Sequence, residues 1–136
     1  MKGAYIMGIF SQELDKLIWI NHGEKLVIEP WGKNSLRVRA VMMRDIIDTD
    51  FALLPQEKCD VEIKIDENEA SITNGKIKAV VRQDGWTKDC QISFYNQRGE
   101  LLLREIGNQG CLKLSPRHFK PIIGGDYRLT ATFESN

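Results

Sequence analysis

The stretch from Glu69 to Ile106 constrains the fold most strongly, because it contains the two clearest turn signals in the chain. The first is Asn74-Gly75, which lies between two runs of alternating apolar and polar residues. Asn-Gly is the strongest short hairpin signal, since both residues of the favoured turn need a positive φ. A two-residue turn at this point places Ile72 opposite Ile77 on one apolar face. The pattern predicts a β-hairpin that packs on a core.

A second turn is predicted at Asn96–Gly99, between the strands Gln91–Tyr95 and Glu100–Arg104. Asn at the first position and Gly at the fourth favour a type I turn that is closed by a glycine bulge. The centre of the chain is therefore predicted to be antiparallel sheet.

Alternating runs on either side of this centre are predicted to form further strands: Leu14–Ile20, Lys25–Glu29, Ser35–Met43, Asp60–Ile65 and Tyr127–Phe133. Two segments are candidates for helix. Arg44–Pro55 is ambiguous, and Ser115–Phe119 could form one helical turn with its Pro at the first helical position. About eight or nine short strands with little helix predict an all-β fold, an antiparallel β-sandwich in which residues 1–136 form a single domain.

The apolar phase of the predicted strands should form the core, and its members are Leu36, Val38, Ala40, Ile63, Ile77, Ala79, Phe94, Leu129 and Ala131. Trp19 also lies in an apolar run and is expected inside. Trp31 and Trp86 lie in loops that contain glycine. They could stack on the face of a sugar, although covering the rim of the sandwich is the simpler interpretation.

Charge and hydropathy exclude several classes of partner. The chain has 19 basic and 19 acidic residues, so it lacks the basic field that nucleic acids and anionic membranes require. No apolar run approaches the roughly 20 residues of a membrane span. Met1–Phe10 has no cleavage site of the signal-peptide type, which favours a cytoplasmic location. In that compartment Cys59, Cys90 and Cys111 are expected to be free thiols.

Catalytic and metal-binding patterns are absent from the sequence. His22 and His118 lie next to turns and belong to no ligand cluster, so neither a metal nor another cofactor is predicted. Acidic residues such as Glu62, Glu67, Glu69 and Asp84 occupy polar strand faces or turns and are expected to be solvated, which leaves no candidate pair of catalytic carboxylates.

Arg37 and Arg39 lie on the polar face of the strand Ser35–Met43. They are expected to pair with a Glu of a neighbouring strand, and the alternative is that they bind an anionic ligand.

Five segments, taken in order, resemble the N-terminal domain of glycoside hydrolase family 31, the family of α-glucosidases and α-xylosidases: Leu26–Gly32, Ser35–Ala40, Ile72–Ile77, Ile92–Leu102 and Gly125–Glu134. In that family an S-(L/I)-R-V-R strand precedes two hairpins, and Ser35–Arg39 reads S-L-R-V-R here. The resemblance implies a sandwich of the galactose-mutarotase type that packs beside a catalytic (β/α)8 barrel.

The resemblance also implies that this chain is noncatalytic. The catalytic acids of the family lie on the barrel, which alone takes about 250 residues, so no catalytic residue can be transferred to these 136. The expected function is the N-terminal domain of an α-glycoside hydrolase, and the chain is expected to be a fragment of that longer protein. Its partners would be the barrel and an α-linked oligosaccharide, with self-association through an exposed docking face.

Two other functions remain open at this point. A freestanding carbohydrate-binding module would carry two or three exposed aromatic residues along one sheet face or rim. A structural or protein-interaction sandwich would carry an apolar patch instead.

Overall fold

The computed structural model describes residues 9–44, 46, 60–86, 88–106, 117–125 and 127–135. These residues form twelve strands: β1 (Ile9–Glu13), β2 (Lys16–Asn21), β3 (Glu24–Pro30), β4 (Leu36–Met42), β5 (Val61–Ile65), β6 (Glu69–Asn74), β7 (Ile77–Gln83), β8 (Cys90–Asn96), β9 (Leu101–Glu105), β10 (Arg117–Pro121), β11 (Tyr127–Ala131) and β12 (Phe133–Ser135). The described part of the chain contains no helix. The predicted all-β fold is confirmed.

The strands form two main antiparallel sheets and one hairpin. Sheet A has four strands in the order β1-β2-β3-β4, and sheet B has six in the order β12-β9-β8-β7-β6-β5. The hairpin β10-β11 pairs with neither sheet, although β11 contacts β4. Strand β1 contacts β5, and β2 and β3 contact β6, so the two main sheets lie face to face as in a sandwich.

The core lies between the sheets and takes alternate residues from each. Its buried members are Leu17, Trp19, Leu26, Ile28, Ala70, Ile72, Ala79, Val81, Cys90 and Ile92. Trp19 is buried as expected, and its indole Nε1 donates a hydrogen bond to the side-chain oxygen of Gln83 across the core, at 3.0 Å. A buried Trp needs such a partner for its N–H group.

The hairpin at Asn74-Gly75 forms, but its register differs from the predicted one by two residues. The turn consists of Gly75-Lys76, with Asn74 opposite Ile77, so Ile72 faces Ala79 rather than Ile77. Gly75 has φ +61°, whereas Lys76 has no positive φ, which is the pattern of a type II′ turn. Asn74 therefore belongs to strand β6, and its side chain is buried against the loop between β3 and β4.

Two further turns form as their residues favour, and the one at Asn96–Gly99 is the predicted one. The turn between β2 and β3 consists of His22 and Gly23, both with positive φ, as a type I′ turn requires. In the turn after β8, the Gly99 N–H donates to the carbonyl of Asn96 at 3.0 Å, and Gly99 has φ +82°. This is the predicted type I turn with its glycine bulge.

One element prediction was wrong, one strand was not predicted, and one predicted strand is divided in two. Ser115–Phe119 was predicted as a helical turn, yet Arg117–Pro121 is strand β10, because pairing with β11 overrides the local preference. The run Leu14–Ile20 is preceded by the unpredicted strand β1, and the turn between β1 and β2 lies at Leu14-Asp15. The run Tyr127–Phe133 is divided between β11 and β12, since the Ile106 N–H bonds to the Thr132 carbonyl where the chain crosses into sheet B. Most of Arg44–Pro55 lies outside the described residues.

The core prediction is correct for Ala79 and partly correct for five others. Leu36, Ala40, Ile63, Ile77 and Phe94 are partly buried. Val38, Leu129 and Ala131 are exposed, although they lie on the apolar phase of their strands. The alternation was identified correctly, but these positions lie on edge strands or on the hairpin, where the opposite sheet does not cover them.

Candidate functional site

A buried network of charged residues lies where β10 meets both sheets. Arg117 at the start of β10 is 4% exposed. Its Nε donates to Glu24 Oε2 at 2.5 Å, and its Nη1 donates to Glu105 Oε1 at 2.6 Å. Its Nη2 donates to Cys90 Sγ at 2.9 Å. One guanidinium thus links β3 of sheet A to β8 and β9 of sheet B.

Strand geometry brings these four side chains together. Glu24 follows the His22-Gly23 turn and opens β3, Cys90 opens β8, and Glu105 closes β9. This network was not predicted from the sequence, because acidic residues at strand ends resemble solvated ones. The sequence did contain one signal of this network. Arg117 lies opposite Ala131, on the inward face of the hairpin, where a charged residue is unexpected.

Burial controls the protonation of the network. Desolvation raises the pKa of the Glu24 carboxyl above its ordinary value of 4.5, and the attraction of Arg117 opposes that shift only in part. Desolvation likewise raises the pKa of the Cys90 thiol to about 12. Cys90 is therefore a neutral thiol at pH 7 and not an activated nucleophile.

Glu24 and Glu105 resemble a catalytic carboxylate pair at first sight, since both contact one guanidinium. A glycosidase pair, however, must leave space for the sugar between the two carboxyl groups. Here Arg117 fills that space, and Glu105 also accepts the N–H of Ile92 at 2.9 Å. The arrangement joins four strands, β3, β8, β9 and β10, and leaves no space for a sugar between the two carboxyl groups.

A cavity of about 280 Å³ lies beside the network. It is lined by Asn21, His22, Glu24, Met42, Asp89, Arg117, His118 and Phe119. The two His residues thus come to one cavity, which the sequence did not predict. In the described part of the chain, no group of three or more His, Cys, Asp or Glu residues could hold a metal ion.

A second charged cluster lies on the outer face of sheet A. Glu29 accepts from Arg37 Nη2 at 2.9 Å and from Arg39 Nη2 at 2.5 Å, which confirms the predicted pairing with a Glu on the neighbouring strand. The Arg37 guanidinium lies 3.6 Å from the centroid of the Trp31 ring. This cation–π contact covers one face of Trp31.

The outer face of sheet B carries a groove of about 490 Å³. Its lining includes Ser71, Thr73, Lys78, Val80, Arg82 and Tyr95. Arg82 Nε contacts Glu69 Oε1 at 2.5 Å across one end.

Trp86 follows β7 and is almost fully exposed, so it does not cover the rim as expected. The four acids predicted to be solvated, Glu62, Glu67, Glu69 and Asp84, are exposed.

The described residues include no helix of the length and hydropathy that a membrane crossing requires.

Comparison with known proteins gives two matches. No protein-family model matches the chain. A protein of Pseudescherichia vulneris, described as an uncharacterized family 31 glucosidase, is 41% identical over 146 residues, which cover 95% of this chain and 27% of that protein. The crystal structure of a family 31 α-xylosidase from a soil metagenome, complexed with xylose, is 41% identical with a TM-score of 0.77. That match covers 94% of this chain and 21% of the α-xylosidase chain.

The chain therefore spans about a quarter of the length of these relatives, a share that suits one domain of a larger protein. Both relatives are described as family 31 proteins, and the similarity extends over nearly the whole of this chain. The resemblance inferred from the sequence motifs is confirmed, and this chain is homologous to one segment of family 31 glycoside hydrolases.

Proposed function

We propose that this chain is the noncatalytic N-terminal β-sandwich domain of a family 31 α-glycoside hydrolase of the glucosidase or xylosidase type. It packs against a catalytic (β/α)8 barrel in the same polypeptide. The identity of 41% to two family 31 proteins, each at least three times as long as this chain, supports the assignment to one domain.

One observation carries the noncatalytic role. Among the described residues, the buried carboxylates that approach each other are Glu24 and Glu105, and Arg117 lies between them. General acid catalysis needs a carboxyl group that can give its proton to the leaving oxygen of the substrate. Both of these carboxyl groups face the same cation, which fills the space between them, so they hold the fold together instead.

The test is an activity assay of the 136-residue chain with aryl α-glucoside and aryl α-xyloside, with the soil-metagenome α-xylosidase as the positive control. We expect no turnover above the uncatalysed rate. Turnover that disappears on Glu24→Gln, Glu105→Gln or another single acidic substitution in this chain would contradict the noncatalytic assignment.

Binding of an α-linked oligosaccharide is the second candidate function, and the groove on sheet B together with the exposed Trp86 favours it. Aromatic faces and hydroxyl-bearing side chains are suited to sugar rings. We expect isothermal titration with maltoheptaose to give a signal that Trp86→Ala or Tyr95→Ala weakens. Trp31→Ala serves as the control, because Arg37 already occupies a face of that ring.

A further inference from the structure

In the part of the chain that the structure describes, the sandwich is open on one side. Sheet B has six strands and sheet A has four, and β1 contacts β5 while β2 and β3 contact β6. Continuing that order places β4 above the middle of sheet B. Strands β9 and β12 then extend beyond the edge of sheet A, and among the described residues the β10-β11 hairpin approaches β9 through the ion pair between Arg117 and Glu105.

Exposure changes abruptly across this edge. Val38 of β4 is 37% exposed, whereas its cross-strand partner Ile28 on the same face is 0% exposed. Phe133 of β12 is 41% exposed, whereas its partner Glu105 is 0% exposed. At these two strand pairs the inward face is thus covered on the inner strand and open on the outer one.

The exposed residues continue the core directly. The Phe133 ring lies 6.5 Å from that of Phe94, which packs against the buried cluster. Leu129 of β11, 43% exposed, lines a groove with Ala40 and Met42 of β4. Apolar side chains on the inward phase of a strand are expected to be covered, and an open patch of this kind marks an interaction surface.

The occupant can be argued from the edge itself. Strand β4 is the last strand of sheet A, and an edge strand offers its backbone to a further strand. The charges beside it, Arg37 and Arg39, are paired with Glu29 and do not repel an incoming chain. The family 31 relatives possess three quarters of their length outside the matched segment, which is ample to supply that strand.

We infer that this open side, defined by Val38, Leu129 and Phe133, is the surface on which the remaining polypeptide of the family 31 protein docks, with a strand that continues sheet A beyond β4. This inference rests on the proposed function and adds the place and the manner of docking. A second copy of this chain is the alternative occupant.

The test uses a chimera in which this chain replaces the matched segment of the soil-metagenome α-xylosidase. The docking variant carries Val38→Ser, Leu129→Ser and Phe133→Ser. The control variant carries Ile9→Ser, Ile65→Ser and Leu102→Ser, which alter similarly exposed apolar residues elsewhere. In the chimera we expect the docking variant to lower the melting temperature by at least about 5 °C more than the control does. In the isolated chain the melting temperatures of the two variants should differ much less, by no more than the loss of the Phe94–Phe133 contact accounts for.

Each outcome decides one claim. A chimera that forms no active α-xylosidase contradicts the proposed function, and an active chimera in which both variants behave alike contradicts the docking surface.

The isolated chain gives an independent measure: it should bind a hydrophobic dye, and the docking variant should lose that signal while the control keeps it. Absence of dye binding would overturn the inference, as would a dimer that only the docking variant abolishes. The double variant Val38→Thr, Leu129→Thr repeats the comparison with the control variant. It leaves the Phe94–Phe133 contact intact.

Discussion

At the scale of single residues, Arg117 determines how the hairpin β10-β11 is held. Its guanidinium contacts Glu24, Glu105 and Cys90, which belong to three different strands. It also lies 5.6 Å from the centroid of the Trp19 ring in the core. Burying a cation is costly unless every neighbour is a suitable partner, and these neighbours satisfy that condition.

Arg117→Met should destabilise the fold by about 3–5 kcal/mol, because it leaves Glu24 and Glu105 buried without their counter-charge. Urea unfolding at pH 7 measures the change. Arg117→Lys should lie in between, since a single ammonium group cannot make all three contacts. The triple variant Arg117→Met, Glu24→Gln, Glu105→Gln should recover part of the loss, and no recovery would indicate that packing rather than charge is responsible.

The pH dependence follows from Glu24. Its folded-state pKa lies above the ordinary value, so the folded protein holds this proton more tightly than the unfolded chain does. The contribution of Glu24 to stability is therefore fully present below the unfolded pKa and declines as the pH rises through the folded pKa. The unfolding free energy of the wild type, minus that of Glu24→Gln, should fall as the pH rises above the ordinary value of 4.5. A difference that rises with pH would contradict the raised pKa.

At the scale of elements, the turn at Gly75-Lys76 is joined to the loop between β3 and β4. Asn74 Nδ2 donates to the carbonyls of Gly32 and Ser35 at 2.8 and 2.7 Å. The Lys76 N–H donates to Asn34 Oδ1 at 2.8 Å. These contacts join sheet A to sheet B at one end, as Arg117 does at another place, and they explain why a buried Asn precedes the turn glycine.

Asn74→Ala should destabilise the protein by about 2 kcal/mol, because it removes two hydrogen bonds of about 1 kcal/mol each. Thr73→Ala is the matched control, since Thr73 is the adjacent residue on the outer face of the same strand. Its effect should be below about 0.5 kcal/mol. Equal effects in a urea titration would mean that the junction between the sheets contributes nothing.

Phe94 was expected to be a core residue and is only partly buried, between the closed core and the open side. A fully buried Phe would lose about 3–5 kcal/mol on truncation to Ala. Phe94→Ala should therefore cost less, about 2 kcal/mol, whereas Trp19→Ala should reach that full range. Thermal or urea unfolding shows which of the two variants loses more stability. A larger loss for Phe94→Ala than for Trp19→Ala would place Phe94 inside the core.

At the scale of the whole molecule, the thiols report on the redox state of the chain. Cys90 is buried and free, whereas Cys59 and Cys111 lie outside the described residues. We expect three reactive thiols in the denatured, unreduced protein, in line with the predicted cytoplasmic location. Reaction of Cys90 in the native protein should be much slower than after denaturation, because burial keeps its thiol protonated. A count of one thiol would reveal a disulfide.

The sequence by itself determined the class of fold and most of its turns. Alternation and turn residues act over a few positions, and this is why the hairpins at His22-Gly23 and Asn96–Gly99 could be predicted. The family resemblance was equally readable, because it depends on the order of short motifs along the chain.

Tertiary structure alone decided which faces are covered. Alternation shows that a strand has two different faces, but whether another sheet covers one of them depends on residues far away in the chain. Val38 and Ile28 have the same pattern and opposite exposure for this reason. The same long-range packing places Glu24, Glu105 and Arg117 in the interior, where each carboxylate is tolerated because the guanidinium lies against it.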